Sequence, residues 1–187
     1  MKAKLHPMFE QVSGQMGEMV FRVVRGKVVV SRKPVINEGE PSAMQVEHRG
    51  RFKQAAAYGK SVMTDDSVRP LYEAVAKQRN IPLFAVMIAD YFNAPAIHNV
   101  DVFGYSGNIG DTINILTSDD FGVVKVHVAI SDDQGNPIEN GEAVETAQGS
   151  GAWTYTATVQ GQPVVKIQVV ALDRPGGTAV MNINKTF

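Results

Sequence analysis

The chain has 187 residues, 44% of them hydrophobic, and a formal net charge of −1. This is enough for one large domain or two small ones with a packed core. It contains no cysteine, so disulfide bonds, thiolate metal sites and cysteine nucleophiles are excluded. No run of 18 apolar residues occurs, and no apolar segment follows Lys2 and Lys4. We therefore expect no membrane insertion and no standard secretory signal, and a location that is cytoplasmic, virion-associated or reached by a non-standard export route.

The charge is divided unevenly along the chain. Residues 1–60 hold eleven Lys and Arg against five Glu, a balance of +6, whereas residues 61–187 have a balance of −7. This asymmetry predicts either a basic surface for a polyanion or a protein whose two ends attract each other.

The N-terminal region is predicted to be a basic extended arm, residues 1–41. Gly14 and Gly17 disfavour a helix there. Two β-branched runs follow, residues 19–24 and 27–33, and a pair that contains a glycine separates them. This pattern predicts a β-hairpin.

The next region, residues 42–95, is predicted to be helical. Ser42 and Gln45 form an S-x-x-Q capping box. After them, apolar and small residues recur at spacings of four and three and predict one helix face. They are Met44, His48, Phe52, Ala55, Gly59 and Val62.

Two further helices are predicted, over residues 67–79, with Pro70 in the first turn, and over residues 81–93, after Pro82. The third helix is apolar nearly all round. Such a helix must be buried on several sides, either within its own chain or against a neighbour. Pro95 is the predicted boundary to the next region.

From residue 96 to residue 187 apolar residues recur at every second position, a pattern typical of half-buried strands. About seven short strands with turns between them predict a β-sandwich, so the predicted fold class is α+β. The residues expected to share a face along their strands are Val124, Val126, Val128 and Ile130, then Trp153, Tyr155 and Ala157, and then Val165, Ile167, Val169 and Ala171, and residues 178–185, with Val180 and Ile183, form the closing strand.

Two segments of this region carry a family resemblance. Residues 117–126, T-S-D-D-F-G-V-V-K-V, and residues 171–179, A-L-D-R-P-G-G-T-A, resemble bacterial immunoglobulin-like β-sandwich domains, although Gly177 stands where Asn is usual. The resemblance covers residues 97–187. Such domains occur in bacterial surface proteins, extracellular fibres and phage virions, so it implies a spacer, adhesive or assembly role and no catalytic residues. The N-terminal half resembles small uncharacterised bacterial and phage proteins that open with a glycine-punctuated basic hairpin, which implies no activity.

No motif indicates an enzyme. The four histidines lack metal-ligand spacing, and no serine lies in a G-x-S-x-G motif. The glycine-rich segment 104–110 precedes a predicted strand, whereas a phosphate loop needs a helix behind it. We therefore predict no catalytic residues.

One cofactor is considered, calcium. Asp119, Asp120 and Asp173 lie in loops that could fall at the same end of a sandwich. Clustered carboxylates suit Ca²⁺, although aspartate also favours turns for its own hydrogen bonds. No other cofactor is expected.

The function predicted from these features is that of a non-enzymatic, self-assembling structural protein, a homo-oligomer in a filament, appendage or virion. The alternatives are a nucleic-acid-binding protein that uses the basic N-terminal half, and a carbohydrate- or protein-binding module. The predicted assembly interface comprises Phe21, Arg22, Val23, Arg25, Lys27, Val29, Phe84, Met87, Ile88, Tyr91 and Phe92.

Overall fold

A computed structural model describes residues 13–24, 26–35, 39–161 and 164–186. The chain divides into two compact units after Ala43. The division lies close to the predicted end of the arm at residue 41. Residues 42–95 and 96–187, which we predicted as separate regions, belong almost entirely to the second unit, from Met44 onward.

The N-terminal unit is a three-stranded antiparallel sheet, β1-β2-β3. Its strands are β1 (Gly14–Met16), β2 (Met19–Val24) and β3 (Lys27–Arg32). The pairing of β2 with β3 confirms the predicted hairpin. Strand β1 was not predicted. It pairs with β2 through a turn at Gly17, whose φ of 57° favours glycine.

Three helices open the second unit: α1 (Ala43–Met63), α2 (Arg69–Arg79) and α3 (Leu83–Phe92). All three predicted helices are confirmed. Helix α2 begins two residues later than predicted because Asp65 accepts hydrogen bonds from the backbone N–H and hydroxyl of Ser67, which holds that segment in a turn.

The helices share a small core formed by Val62, Tyr72, Ala76, Val86 and Met87. The predicted face of α1 is buried only in its C-terminal half, at Ala55, Gly59 and Val62. In the N-terminal half the prediction is wrong, since Met44 is 80% exposed and Phe52 is 49% exposed. The reason is geometric, because α2 and α3, with 11 and 10 residues, are about half the length of the 21-residue α1.

The sandwich has eight strands in the described residues, one more than predicted. They are β4 (Ala96–Asp101), β5 (Thr112–Ser118), β6 (Lys125–Asp132), β7 (Pro137–Glu142), β8 (Val144–Glu145), β9 (Ala152–Thr156), β10 (Val164–Leu172) and β11 (Thr178–Thr186).

The two sheets have the orders β4-β5-β9-β8 and β11-β10-β6-β7. These orders match the immunoglobulin arrangement, in which strands A, B, E and D form one sheet and strands G, F and C, with an added C′, form the other. Buried residues of both sheets form one core. The α+β fold class with a C-terminal sandwich is therefore confirmed.

The predicted alternation is confirmed along β9 and β10 and is wrong at Val124. Trp153, which we predicted to face inward, is 7% exposed, and its indole N–H donates a hydrogen bond to Oγ1 of Thr117 at 3.1 Å. Val124 precedes β6 and is 43% exposed. Val180 is 55% exposed because it pairs with Val170 on the outer face.

Residues Ala179, Met181 and Ile183 of β11 pack against the core instead. Among the described residues, no helix is both long and apolar enough to span a bilayer.

Candidate functional site

One face of the N-terminal sheet is mostly apolar, although Arg32 pairs with Met19 there, and the opposite face carries Val20, Val24 and Val29 among polar residues. Cross-strand partners share a face of a sheet, and the pairs Phe21↔Val30 and Val23↔Val28 are two residues apart along each strand. The pair Met16↔Met19 extends the same face into β1. We call this set the apolar sheet face: Met16, Met19, Phe21, Val23, Val28 and Val30.

The apolar sheet face is largely uncovered. Met16 is 69% exposed and Val23 is 45% exposed. Among the described residues of this unit, no side chain is buried. Exposed apolar patches mark interaction surfaces.

The predicted interface residues of the arm divide between the two faces of this sheet. Phe21 and Val23 lie on the apolar sheet face, and Arg22, Lys27 and Val29 lie on the opposite face. Arg22 donates a hydrogen bond to the hydroxyl of Ser31 there. Arg25, also a predicted interface residue, lies outside the described residues.

In α3, the predicted interface residues are more deeply buried than expected. Met87 is fully buried in the helical core, and its assignment to an assembly interface stays a prediction. Phe84, Ile88, Tyr91 and Phe92 are half-buried.

The N-terminal half of α1 covers part of this surface. His48 stacks on the ring of Phe92 at 5.9 Å, and the guanidinium of Arg51 lies 5.2 Å from the centre of the same ring. Tyr91 contacts α1 through Tyr58 and through Gln54.

The ion pairs that the structure describes lie outside the basic N-terminal part. Within the described residues, the ion pairs are Arg69–Glu73, Arg79–Asp120 and Lys125–Glu142. None of them involves a basic side chain between residues 13 and 60. Two basic side chains of this segment make other contacts, Arg22 with the hydroxyl of Ser31 and Arg51 with the ring of Phe92.

The three aspartates predicted for calcium lie near one another, and a fourth joins them. Asp90 of α3 is fully buried. Burial, the largest cause, together with the negative charges of Asp119, Asp173 and Asp120, raises the pKa of Asp90 to about 6, while the hydrogen bond from Tyr72 acts in the opposite direction. The sequence offered one signal for Asp90, which is the single charge in the apolar run of α3.

We call Asp90, Asp119 and Asp173 the acidic junction, because they come from α3, the β5–β6 loop and the β10–β11 turn. Each carboxylate accepts a hydrogen bond at one oxygen. The hydroxyl of Tyr72 donates to Oδ2 of Asp90 at 2.5 Å, and the N–H groups of Phe121 and Gly177 donate to Asp119 and Asp173.

The second oxygen of each carboxylate is buried and has no hydrogen-bond partner among the residues that the structure describes. Asp120 differs, since its oxygens meet the amide of Asn93 at 2.8 Å and Arg79 at 3.7 Å. Over the part of the chain that the structure describes, no group of three or more His, Asp or Glu side chains is placed to hold a metal ion. The calcium site therefore stays a prediction.

No protein-family model and no curated protein matches the sequence. A solved structure that matches is the crystal structure of CopC from Methylosinus trichosporium OB3b, with 12% identity and a TM-score of 0.38. The match covers 49% of this chain and 91% of that chain. At this identity and TM-score the likeness does not extend to what the present chain binds.

Proposed function

We propose that this protein is a non-enzymatic structural component that assembles with copies of itself, as in a filament, an appendage or a virion. The observation that carries the proposal is the apolar sheet face, which belongs to a unit with no buried side chain among its described residues. The sandwich, in contrast, has a complete core of its own. A sandwich with its own core, in a chain that begins with a sheet whose apolar face is exposed, suits a subunit of a larger assembly.

The charge of the chain favours a second copy as the partner. The basic first 60 residues, at +6, are attracted to the acidic remainder of another copy, at −7. A contact between two different surfaces is heterologous, so it closes into a ring or propagates as a fibre.

Strand β11 offers the best edge for such a contact. It runs nine residues in continuous register with β10 and contains no proline. The other end strands of the sandwich are protected, because β7 carries a proline and a shift in register, β4 carries a shift in register and β8 has two residues. Addition of the arm's β3 to β11 of a neighbour would extend the sheet.

The test changes the apolar sheet face without changing the rest of the arm. In the double variant Val23→Lys and Val30→Lys, two charges enter this face. The matched control, Val24→Lys and Val29→Lys, places the same charges on the opposite face at positions of similar exposure, 49% and 43%.

Light scattering after size-exclusion chromatography should give large particles for the natural chain and the control, and smaller species for the first variant. Equal particle masses in all three proteins would contradict the proposal.

A second candidate is nucleic-acid binding, favoured by the balance of +6 over residues 1–60 and by the absence of basic side chains of residues 13–60 from the ion pairs of the described residues. It predicts binding to DNA of any sequence that weakens steeply with salt. Fluorescence anisotropy with a random duplex at about 50 and about 200 mM salt, the range in which phosphate contacts lose most affinity, decides this. Absence of binding at low salt would exclude it.

A further inference from the structure

The two ends of the sandwich carry different loops. Neighbouring strands run antiparallel, so the β5–β6 loop, the β8–β9 loop and the β10–β11 turn lie at one end, where Phe121 stacks on Tyr72 of α2. The β4–β5 and β9–β10 loops lie at the opposite end, where the N–H of Gly161 donates a hydrogen bond to the carbonyl of Gly107. We call these ends the helix end, residues 119–124, 146–151 and 173–177, and the distal end, residues 102–111 and 157–161.

The distal end presents large apolar side chains to solvent. Phe103 is 91% exposed, and Ile109 of the same loop is 66% exposed. Val159 of the adjacent loop is 41% exposed. Several exposed apolar side chains at one end of a domain mark an interaction surface, whereas single ones are common on any protein.

The loop that carries Phe103 is held in place by its own hydrogen bonds. The carboxylate of Asp111 accepts hydrogen bonds from the N–H groups of Ser106 and Asn108 and from the hydroxyl of Ser106. Tyr105, in the middle of the loop, is 1% exposed and belongs to the core of the sandwich. A loop that is already ordered loses little conformational entropy on binding, so Phe103 is suited to be the anchor of an interface.

The helix end contains an open cleft of about 600 Å³. Its apolar lining comes from α2 and from the β5–β6 loop, through Leu71, Phe121, Val123 and Val124. Glycines of the surrounding loops complete the wall without side chains of their own. This volume falls within the range of pockets that bury small ligands, so the cleft has room for the ring of one phenylalanine.

The two ends also carry complementary charges. Arg174 lines the cleft and is exposed, and Asp101 is exposed beside Phe103, whose N–H donates a hydrogen bond to it at 2.8 Å. Neither Arg174 nor Asp101 forms an ion pair within the described part of the chain. The carboxylates that line the cleft, Asp119 and Glu145, already accept hydrogen bonds from backbone N–H groups of the same end. Arg174 therefore favours an acidic partner for the cleft.

We propose that copies of this chain stack head to tail, with Phe103 of one copy in the cleft of the next and Asp101 beside Arg174 of that copy. The inference rests on the proposed self-assembly and adds a second surface to the contact of the arm. Because the two surfaces lie at opposite ends of the sandwich, the contact is heterologous and propagates along the sandwich axis. The contact is small, so it forms between copies that the arm already holds together, where the effective concentration is high.

Cross-linking tests this contact cleanly because the natural chain contains no cysteine. Val159→Cys places a thiol at the distal end, and Gln148→Cys places one at an exposed position of the cleft. A short bismaleimide joins the two thiols across a gap that is too wide for a disulfide bond. The full chain with both cysteines should give a ladder of multimers on a denaturing gel, and each single-cysteine chain should give at most a dimer.

The role of the anchor is tested in the same double-cysteine chain. Phe103→Ser should abolish the ladder, because it removes the side chain that enters the cleft. The matched control is Leu116→Ser, which removes a 47% exposed side chain from the outer face of β5 and should leave the ladder unchanged. A ladder in both variants would show that the cleft receives something other than Phe103 of a second copy, and a loss in both would show that the effect is not specific. Either result would overturn the proposal.

The charge pairing has its own test. Arg174→Glu places a carboxylate opposite Asp101 and should lower the yield of the ladder at low salt. The control, Lys77→Glu, makes the same change of net charge at an exposed position of α2 and should have a smaller effect. Equal yields in the two variants would overturn the pairing of Arg174 with Asp101.

Light scattering on the double-cysteine chain before cross-linking separates this inference from the proposed function. Large particles and a ladder are the result that we expect. Large particles that give no ladder would overturn the head-to-tail contact and leave self-assembly through the arm intact. Monomers that give no ladder would contradict both.

Discussion

The hydroxyl of Tyr72 donates a hydrogen bond of 2.5 Å to Oδ2 of Asp90, and both side chains are fully buried. The hydroxyl of Tyr58 continues the chain at 2.7 Å from that of Tyr72. Hydrogen bonds thus connect one residue from each of the three helices: Tyr58 of α1, Tyr72 of α2 and Asp90 of α3.

Replacement of Tyr72 by phenylalanine tests the value of this bond. The ring and its stacking on Phe121 remain, but Oδ2 of Asp90 loses its donor. We expect the free energy of unfolding at pH 7.5 to fall by about 1–3 kcal/mol, the usual effect of leaving a buried acceptor unpaired. The control, Tyr91→Phe, removes a longer bond of 3.3 Å to Gln54 in an exposed position and should have a smaller effect in urea denaturation. Equal decreases in the free energy of unfolding in the two variants would contradict a larger contribution of the Tyr72 hydrogen bond.

The contact between α1 and α3 can be tested with two glycines of the same helix. A methyl group at Gly59 would lie 2.9 Å from Cε2 of Phe84, so Gly59→Ala should displace α3 and destabilise the fold by about 1–3 kcal/mol. Nothing lies within 4 Å of a methyl group at Gly50, so Gly50→Ala should stabilise the helix by about 0.5–1 kcal/mol. Chemical denaturation measures both. Changes of the same sign would contradict the close packing at Gly59.

Trp153 should contribute strongly to the stability of the sandwich. It lies in the core shared by both sheets, and its indole N–H bonds to Thr117. We expect Trp153→Ala to cost about 3–5 kcal/mol, as for other truncations of large core residues. A loss below about 1 kcal/mol in equilibrium denaturation would be inconsistent with the buried position.

The sandwich should fold without the helices. Its core lies entirely within residues 96–187, so a fragment of that range should be soluble and should give a β-type circular dichroism spectrum. Removal of the helices uncovers Phe121, which packs against their core, so the fragment should be less stable than the full chain. A random-coil spectrum would show that the helices are required for the fold.

Helices and strands could be predicted where the spacing of apolar residues in the sequence agrees with the burial of those residues in the fold. In β10 the alternation of Val165, Ile167 and Val169 matches their burial because this strand is paired along both edges and its inner face packs on the core. The inward-facing residues of β11 could not be predicted in this way, since Ala179 and Val180 are both apolar. Only the register with β10 decides which of them faces inward. Its register is a tertiary property that the local period does not contain.

The site was less predictable than the fold. The expected topology predicts that the loop aspartates Asp119 and Asp173 lie at the same end of the sandwich. The position of Asp90 near them could not be predicted, because the packing of the helices on the sandwich depends on contacts such as that of Tyr72 with Phe121. The predicted burial of Met44 also failed, because helical spacing gives a face and not the length of the helices that cover it.

The most direct test of self-assembly is the mass of the full chain compared with a chain that lacks residues 1–40. That deletion removes the N-terminal sheet and keeps Pro41 and Ser42 ahead of α1. Sedimentation velocity at high protein concentration and low salt should show large species for the full chain. The shortened chain should sediment as a monomer of unchanged β content. A full-length chain that is monomeric under the same conditions would contradict the proposed function.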